Sequence, residues 1–274
     1  MATIRPLTPV RHVLACRALA LSILAAGCAS STEQQINYGL NHYEMGLWGP
    51  ATIRPLVSAA NSLEKTNPPD PRLPRVLLAL GTMAESHKRD DLAEDFFRRA
   101  LKAAEALRPA DEAQTRNALV DLGLCYTRQG REKEAVPLLE RAAAISAGLP
   151  QRYLYAIDLD NLAIALDQQK RHSEANALSM KALAVLDSVP PGGMEDRTRG
   201  VILHNVARSY VDQGRYGEAE KLYRDSLTIL EAGSSRDVES WRLRIVLKNY
   251  AGLLRQTGRE AEAQALERRA AAIK

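Results

Sequence analysis

Little in this chain of 274 residues is suited to chemistry. Its five histidines, His12, His42, His87, His172 and His204, are far apart, so no helical pair of imidazoles can close on a metal ion. There is no phosphate loop and no nucleophile-elbow pentapeptide. Gly192-Gly193 reads as a turn, and acidic pairs such as Asp90-Asp91 and Glu195-Asp196 read as helix starts or loop residues. No catalytic residue, metal or cofactor is therefore expected, and an enzyme is not expected. Phenylalanine is nearly absent, with two copies, and no stretch alternates as a strand. The apolar run from Ala18 to Ala26 is nine residues, too short to span a bilayer as a stable helix. A strong charge of one sign is also missing. The chain has 37 Lys+Arg and 33 Asp+Glu. Residues 1–27 hold three arginines and no acids, which leaves 34 against 33 beyond them. So even a balance offers no electrostatic footprint for nucleic acid.

What the first residues do have is the pattern of a secretory leader. Arg5, Arg11 and Arg17 precede the short apolar run, which ends in Leu24-Ala25-Ala26-Gly27-Cys28. Small residues directly before a cysteine resemble the lipobox of bacterial lipoproteins. The favoured leucine stands one place early, and an ordinary signal peptide is the alternative. The resemblance implies a signal peptide over 1–27, cleavage before Cys28, and lipid on its sulfur and new amino group. With Ala29 and Ser30 following, it also implies an outer-membrane lipoprotein facing the periplasm. Residues 28–35 would then be the lipidated cysteine and a polar tether. Cys16 leaves with the leader and Cys28 is capped, so Cys125 is the only remaining thiol and no intrachain disulfide forms. A small buried hydrophobe is its expected role.

The rest of the chain repeats itself. LHNVARSYVDQGRYGEAEKLYRDSL from Leu203 returns 44 residues later as LKNYAGLLRQTGREAEAQALERRAA. Six units align on a small anchor residue: Gly39, Gly81, Gly123, Ala163, Ala207 and Ala251. Twelve residues on stand Ala51, Ala93, Ala135, Ala175, Ala219 and Ala263, and nineteen on stand Ser58, Ala100, Ala142, Ala182, Ser226 and Ala270. Two antiparallel helices approach closely only where side chains are small. Phe97, Leu139 and Tyr223, sixteen after their anchors, read as knobs on the second helix, and Ser179 and Glu267 depart from that pattern. Gly46, Gly130, Gly214 and Gly258, seven after the anchor, suit the left-handed residue that ends a first helix. The expected fold is an all-α solenoid of about six antiparallel helix hairpins. A divergent unit 1 spans 36–66, a proline-rich break 67–74, and units 2–6 residues 75–274. Pro190-Pro191-Gly192-Gly193 and Ser179 point to a looser or shifted junction between units 4 and 5.

The pattern resembles the tetratricopeptide repeat, and motifs such as GRYGEAEKLY at a period near 42 look most like its kinesin-light-chain form. The resemblance implies a right-handed superhelix whose first helices line a concave groove. Two residues before each anchor stand Asn37, Ala79, Asp121, Asn161, Asn205 and Asn249. Asparagine is a mediocre helix former, so its recurrence calls for a reason. Its amide can donate and accept along an extended peptide, and the resemblance implies that role; alternatively it bonds a neighbouring helix and stiffens the stack. Groove neighbours by helical geometry are Asn117, Arg128, Gln168, His204, Arg208, Lys248 and Arg255. Arg208, Lys248 and Arg255 make one half locally basic, whereas Asp121, Asp160 and Asp167 make the middle acidic; an ordinary solvated face would look the same.

The function expected is a non-catalytic scaffold that binds protein or peptide partners of the cell envelope, as in secretion, pilus or cell-wall machinery. A solute- or glycan-binding lipoprotein using the same groove is the alternative. The blunt last unit leaves end-to-end dimerisation open. Three acyl chains on Cys28 would anchor the protein permanently, where one would not. Replacing Cys28 with serine is therefore expected to move the protein from the membrane to the soluble fraction on cell fractionation.

Overall fold

The computed structural model describes residues 31–190, 192–233 and 240–273. Cys28 and the leader lie outside them. Among the described residues there are twelve helices and no strand. They divide into two compact units, one ending at Asp70 and one beginning at Pro71, inside the proline-rich break.

The first unit is a single hairpin, α1 (Ser31–Glu44) and α2 (Pro50–Leu63). α1 begins at Ser31, so residues 31–35, expected as tether, are helical. α2 starts with Pro50 at its first position after Gly49 and runs on through Pro55. A Cβ on Gly39 would fall 2.6 Å from Leu56 Cδ2, which marks the close approach. The expected contact positions Ala51 and Ser58 are exposed; their neighbours Thr52 and Ala59 are buried instead. The turn Leu47-Trp48-Gly49 moves the register of α2 along by one residue, so its knob is seventeen after the anchor.

The second unit contains α3 (Leu73–Ser86), α4 (Asp90–Ala106), α5 (Glu112–Arg128), α6 (Glu132–Ala147), α7 (Arg152–Gln168), α8 (His172–Asp187), α9 (Gly193–Asp212), α10 (Tyr216–Gly233), α11 (Ser240–Gln256) and α12 (Glu260–Ala272). They pair as five hairpins. Anchors Gly81, Gly123, Ala163, Ala207 and Ala251 are all buried, as are the alanines and the serine at the two other small positions. The reason is contact with the knobs. A Cβ on Gly81 would stand 2.5 Å from Phe97 Cδ1, and one on Gly123 2.8 Å from Leu139 Cδ2. Burying each such knob stabilises the hairpin by about 1.5–3 kcal/mol. Ser179 is buried at the knob position of α8, and Glu267 on α12 is half-buried.

Consecutive first helices α3, α5, α7, α9 and α11 touch along their backbones, whereas among the described residues second helices meet only through long side chains, as Arg141 on α6 does Glu105 on α4 at 2.7 Å. The layer whose members touch is the inner side of a curved stack. The first helices therefore line the concave side of this unit. At the junction of the fourth and fifth hairpins, α9 packs against both α7 and α8. It is 20 residues long, with an extra turn at its start. Ser226 Oγ donates to the Gly200 carbonyl at 2.7 Å, tying the first half of α9 to α10.

Every hairpin turns through the same left-handed residue. Gly46, Gly130, Gly214 and Gly258 have φ between 70° and 76°, and Lys88 and Lys170 occupy the equivalent positions at 56° and 63°. The next amide closes the helix end, as Arg131 N–H donates to the Tyr126 carbonyl at 2.9 Å and Arg171 N–H to the Leu166 carbonyl at 3.0 Å. A side chain is strained in this conformation. Lys170→Gly is expected to raise stability by up to about 1 kcal/mol, the strain relieved being partly offset by glycine's greater freedom when unfolded. Gly123→Ala is expected to lower it by about 1–3 kcal/mol through overpacking against Leu139. Urea unfolding followed by circular dichroism reads both signs.

Candidate functional site

The concave side of the second unit is held together by polar bonds that span one repeat. Asn205 Nδ2 on α9 donates to Asp160 Oδ2 on α7 at 2.7 Å. Asn249 Nδ2 on α11 meets His204 Nε2 on α9 at 2.8 Å. Burial, and then the neighbouring Arg208 charge, push His204 down to about 4. The ring is neutral at pH 7, so its Nε2 can accept the amide proton. Ser209 Oγ donates to Asp167 Oδ1 at 2.6 Å, an oxygen shared with His172 Nδ1 at 2.5 Å. Deepest is Arg116 on α5, whose Nε donates to Asp158 Oδ2 on α7 at 2.7 Å while its terminal nitrogen bonds Oδ1. Both groups are buried. A charge there is tolerated because both ends are paired by two parallel bonds.

The expected groove residues fall into three sets. Asn205, Asn249 and His204 make hydrogen bonds to neighbouring first helices. Gln168, with its amide oriented to satisfy both ends, reaches the Thr127 carbonyl and Glu132 Oε1 at 3.1 Å each. Arg128 is exposed and ion-paired with Glu85. Arg255 is exposed but held by Glu267 and, at 3.3 Å, by Glu260. The basic half is thereby reduced to Arg208 and Lys248, both exposed. The third set is turned to solvent or to open space. Asn117 is exposed, its oxygen accepting from Arg116 at 3.0 Å. Asp121 is half-buried; burial pushes it up to about 6, against the pull of Arg116. Asn161 is half-buried and lines a cleft of about 200 Å³ together with Asp160, Asn205, Arg197, Arg242 and Met194. In the first unit Asn37 is exposed, and Ala79 of the second is buried.

Sequence offsets missed Arg197 and Arg242. They lie ten and nine residues before their anchors, near the starts of α9 and α11, farther upstream of the asparagine row than the neighbours expected from sequence. Arg242 stacks 4.6 Å from the centre of the exposed Trp241 ring. Also missed were arginines that open every second helix of this unit. Arg131 and Arg259 bridge hairpins through Glu94 (2.8 Å) and Glu220 (2.7 Å). Arg131 and Arg215 cover the rings of Tyr126 and Tyr210 at 4.2 and 3.8 Å. Cys125 is buried, and burial pushes its thiol up to about 11, so it is inert. Among the described residues no cluster of histidine, cysteine or carboxylates could hold a metal ion.

Residues 114–188 match a family model described as tetratricopeptide repeat, and residues 200–237 match a second with the same description. The chain carries tetratricopeptide repeats there. None of the curated proteins matches it. Among solved structures, BtubC (BKLC) from P. vanneervenii aligns with a TM-score of 0.62 at 20% identity, covering 89% of this chain and 91% of that one. A Podosopora anserina protein with nearly identical TPR-like repeats, described as kinesin light chain, aligns with a TM-score of 0.60 at 17% identity, over 76% of this chain and all of that one. A Rap protein complexed with Competence and Sporulation Factor aligns with a TM-score of 0.68 at 14% identity, over 93% of this chain and 70% of that one. At these identities the likeness establishes the fold.

Breaking the buried ion pair has a larger expected effect than removing it. Asp158→Ala is expected to destabilise the protein by about 3–5 kcal/mol, because Arg116 is left buried and uncompensated. The double variant Arg116→Met, Asp158→Leu is expected to recover most of that loss in equilibrium denaturation.

Proposed function

We propose that this protein is a non-catalytic tetratricopeptide-repeat adaptor that binds a segment of a protein partner along the first helices of its second unit. One observation carries the reading: the cleft of about 200 Å³ on this face combines amides, arginines and apolar side chains from three successive first helices, α7, α9 and α11. Asn161 supplies an amide for a peptide backbone, Arg197 and Arg242 supply charge for an acidic or carboxylate-bearing segment, and Ile157, Met194 and Val201 supply apolar wall. A structural relative with a factor bound, the Rap protein, supports the use of this fold for such binding.

The setting we infer is the bacterial envelope. The leader pattern and Cys28 support an outer-membrane lipoprotein facing the periplasm, and its partners would be components of an envelope complex. The same residues give no reason to expect nucleic acid.

Asn161 is the better test of the groove than Asn205 or Asn249, whose amides brace helices. In affinity capture from native envelopes, Asn161→Ala with Arg242→Ala is expected to lose the partners retained by the unaltered protein, with helical content unchanged. Equal recovery of the same partners would move the binding surface elsewhere.

A further inference from the structure

The five hairpin turns of the second unit carry a charge that the first lacks. Arg89, Arg131, Arg171, Arg215 and Arg259 each follow the left-handed residue and pair with an acid two or three places on. Such a turn is suited to water. In the first unit the residue after Gly46 is Leu47, and Trp48 follows. Met45 and Trp48 are 46% and 37% exposed, and Tyr38 on α1 is 36% exposed. Exposed apolar groups gathered at one turn mark a surface that meets something other than water.

The turn holds these groups in a fixed arrangement. Gly46 has φ 70°, Leu47 N–H donates to the His42 carbonyl at 2.8 Å, and Thr52 Oγ1 bonds the Leu47 carbonyl. Trp48 Nε1 donates to the Tyr43 carbonyl at 3.0 Å, and the two rings stack with centres 5.9 Å apart. An indole has one donor, and here it is already used. The ring therefore leaves water without leaving a bond unmade. That suits an apolar medium rather than a partner that reads the indole by hydrogen bonding. Along the middle of α1 the exposed residues Gln34, Asn37, Tyr38 and Asn41 carry no charge, with Glu33 and Glu44 at either end.

We propose that the turn of residues 45–48 and the exposed side of α1 rest on the lipid bilayer interface, as a second support beside the lipid on Cys28. Tryptophan and tyrosine collect at that depth, where the ring body meets hydrocarbon and the polar edge meets head groups. The distances fit. Cys28 stands three residues before Ser31, at most about 11 Å of extended chain. α1 is 14 residues long and carries the turn about 21 Å farther. A hairpin held at both ends of α1 lies along the surface, with its amide side chains among the head groups. A lipid on one residue fixes the protein at a point; the turn adds an orientation. The proposal rests on the reading of Cys28 as lipidated.

The chain has two tryptophans, so Trp241→Phe leaves Trp48 as the only one and Trp48→Phe leaves Trp241 as the control. The protein purified from envelopes is reconstituted in vesicles of phosphatidylethanolamine and phosphatidylglycerol, with and without brominated acyl chains. Trp48 emission is expected to shift to the blue and to be quenched at least about twofold by the brominated lipid, with Trp241 emission unchanged. Met45→Glu in the Trp241→Phe background keeps the reporter and puts a charge in the turn. It is expected to reduce the quenching at least about twofold, with helical content unchanged. Mass spectrometry of the amino-terminal peptide reads the lipid on Cys28 by itself. Cys28 without lipid would overturn the anchoring and this proposal together. With lipid on Cys28, an unquenched Trp48, equal quenching of Trp241, or equal quenching in folded Met45→Glu would overturn the proposal alone.

Discussion

Everything in the second unit depends on how closely the two helices of a hairpin can approach. The limit is a missing or minimal side chain at the anchor, opposed by one large side chain. Gly81 has no room for a methyl group beside Phe97, nor Gly123 beside Leu139. Because this contact fixes the separation of the pair, it also fixes which faces remain for neighbours. Alanines twelve and nineteen residues on complete the seam. Without them α5 and α6 would stand too far apart for α7 to bury its leucines across both.

The polar bonds between first helices form a second, softer level of organisation. Apolar packing closes each hairpin and continues across the junctions, where Asn205 to Asp160, Asn249 to His204 and Arg116 to Asp158 add polar bonds from one hairpin to the next. These bonds are specific in register, since a slip of one residue would leave buried donors and acceptors unpaired. Their residues change from junction to junction, whereas the small residues repeat. Stacking order is thus encoded differently from hairpin formation.

That difference explains what could be read from the sequence. Anchors, knobs and four left-handed glycines were legible because one physical demand recurs at a fixed spacing. Lys88 and Lys170 were not, because a left-handed position tolerates lysine at the expense of strain, and composition then hides it. The shift of α2 was hidden as well: Ala51 fits the small position by identity, while Thr52 fits it in space. Arg116 and Asp158 are 42 residues apart, and Asp158 is unlike any counterpart in the other repeats, so no periodic signal marks the pair. The asparagine row was visible, but sequence could not weigh its two uses. The structure gives Asn205 and Asn249 bracing bonds and leaves Asn161 at the edge of a cleft.

The unequal layers of the stack have a mechanical consequence. First helices already touch, so tightening the curve must compress atoms in van der Waals contact, and resistance rises steeply. Second helices meet only through long, flexible ion-paired side chains, so relaxing the curve meets no such wall. The second unit is therefore a spring with one stiff and one compliant direction. By this geometry its inner face is easier to widen than to narrow.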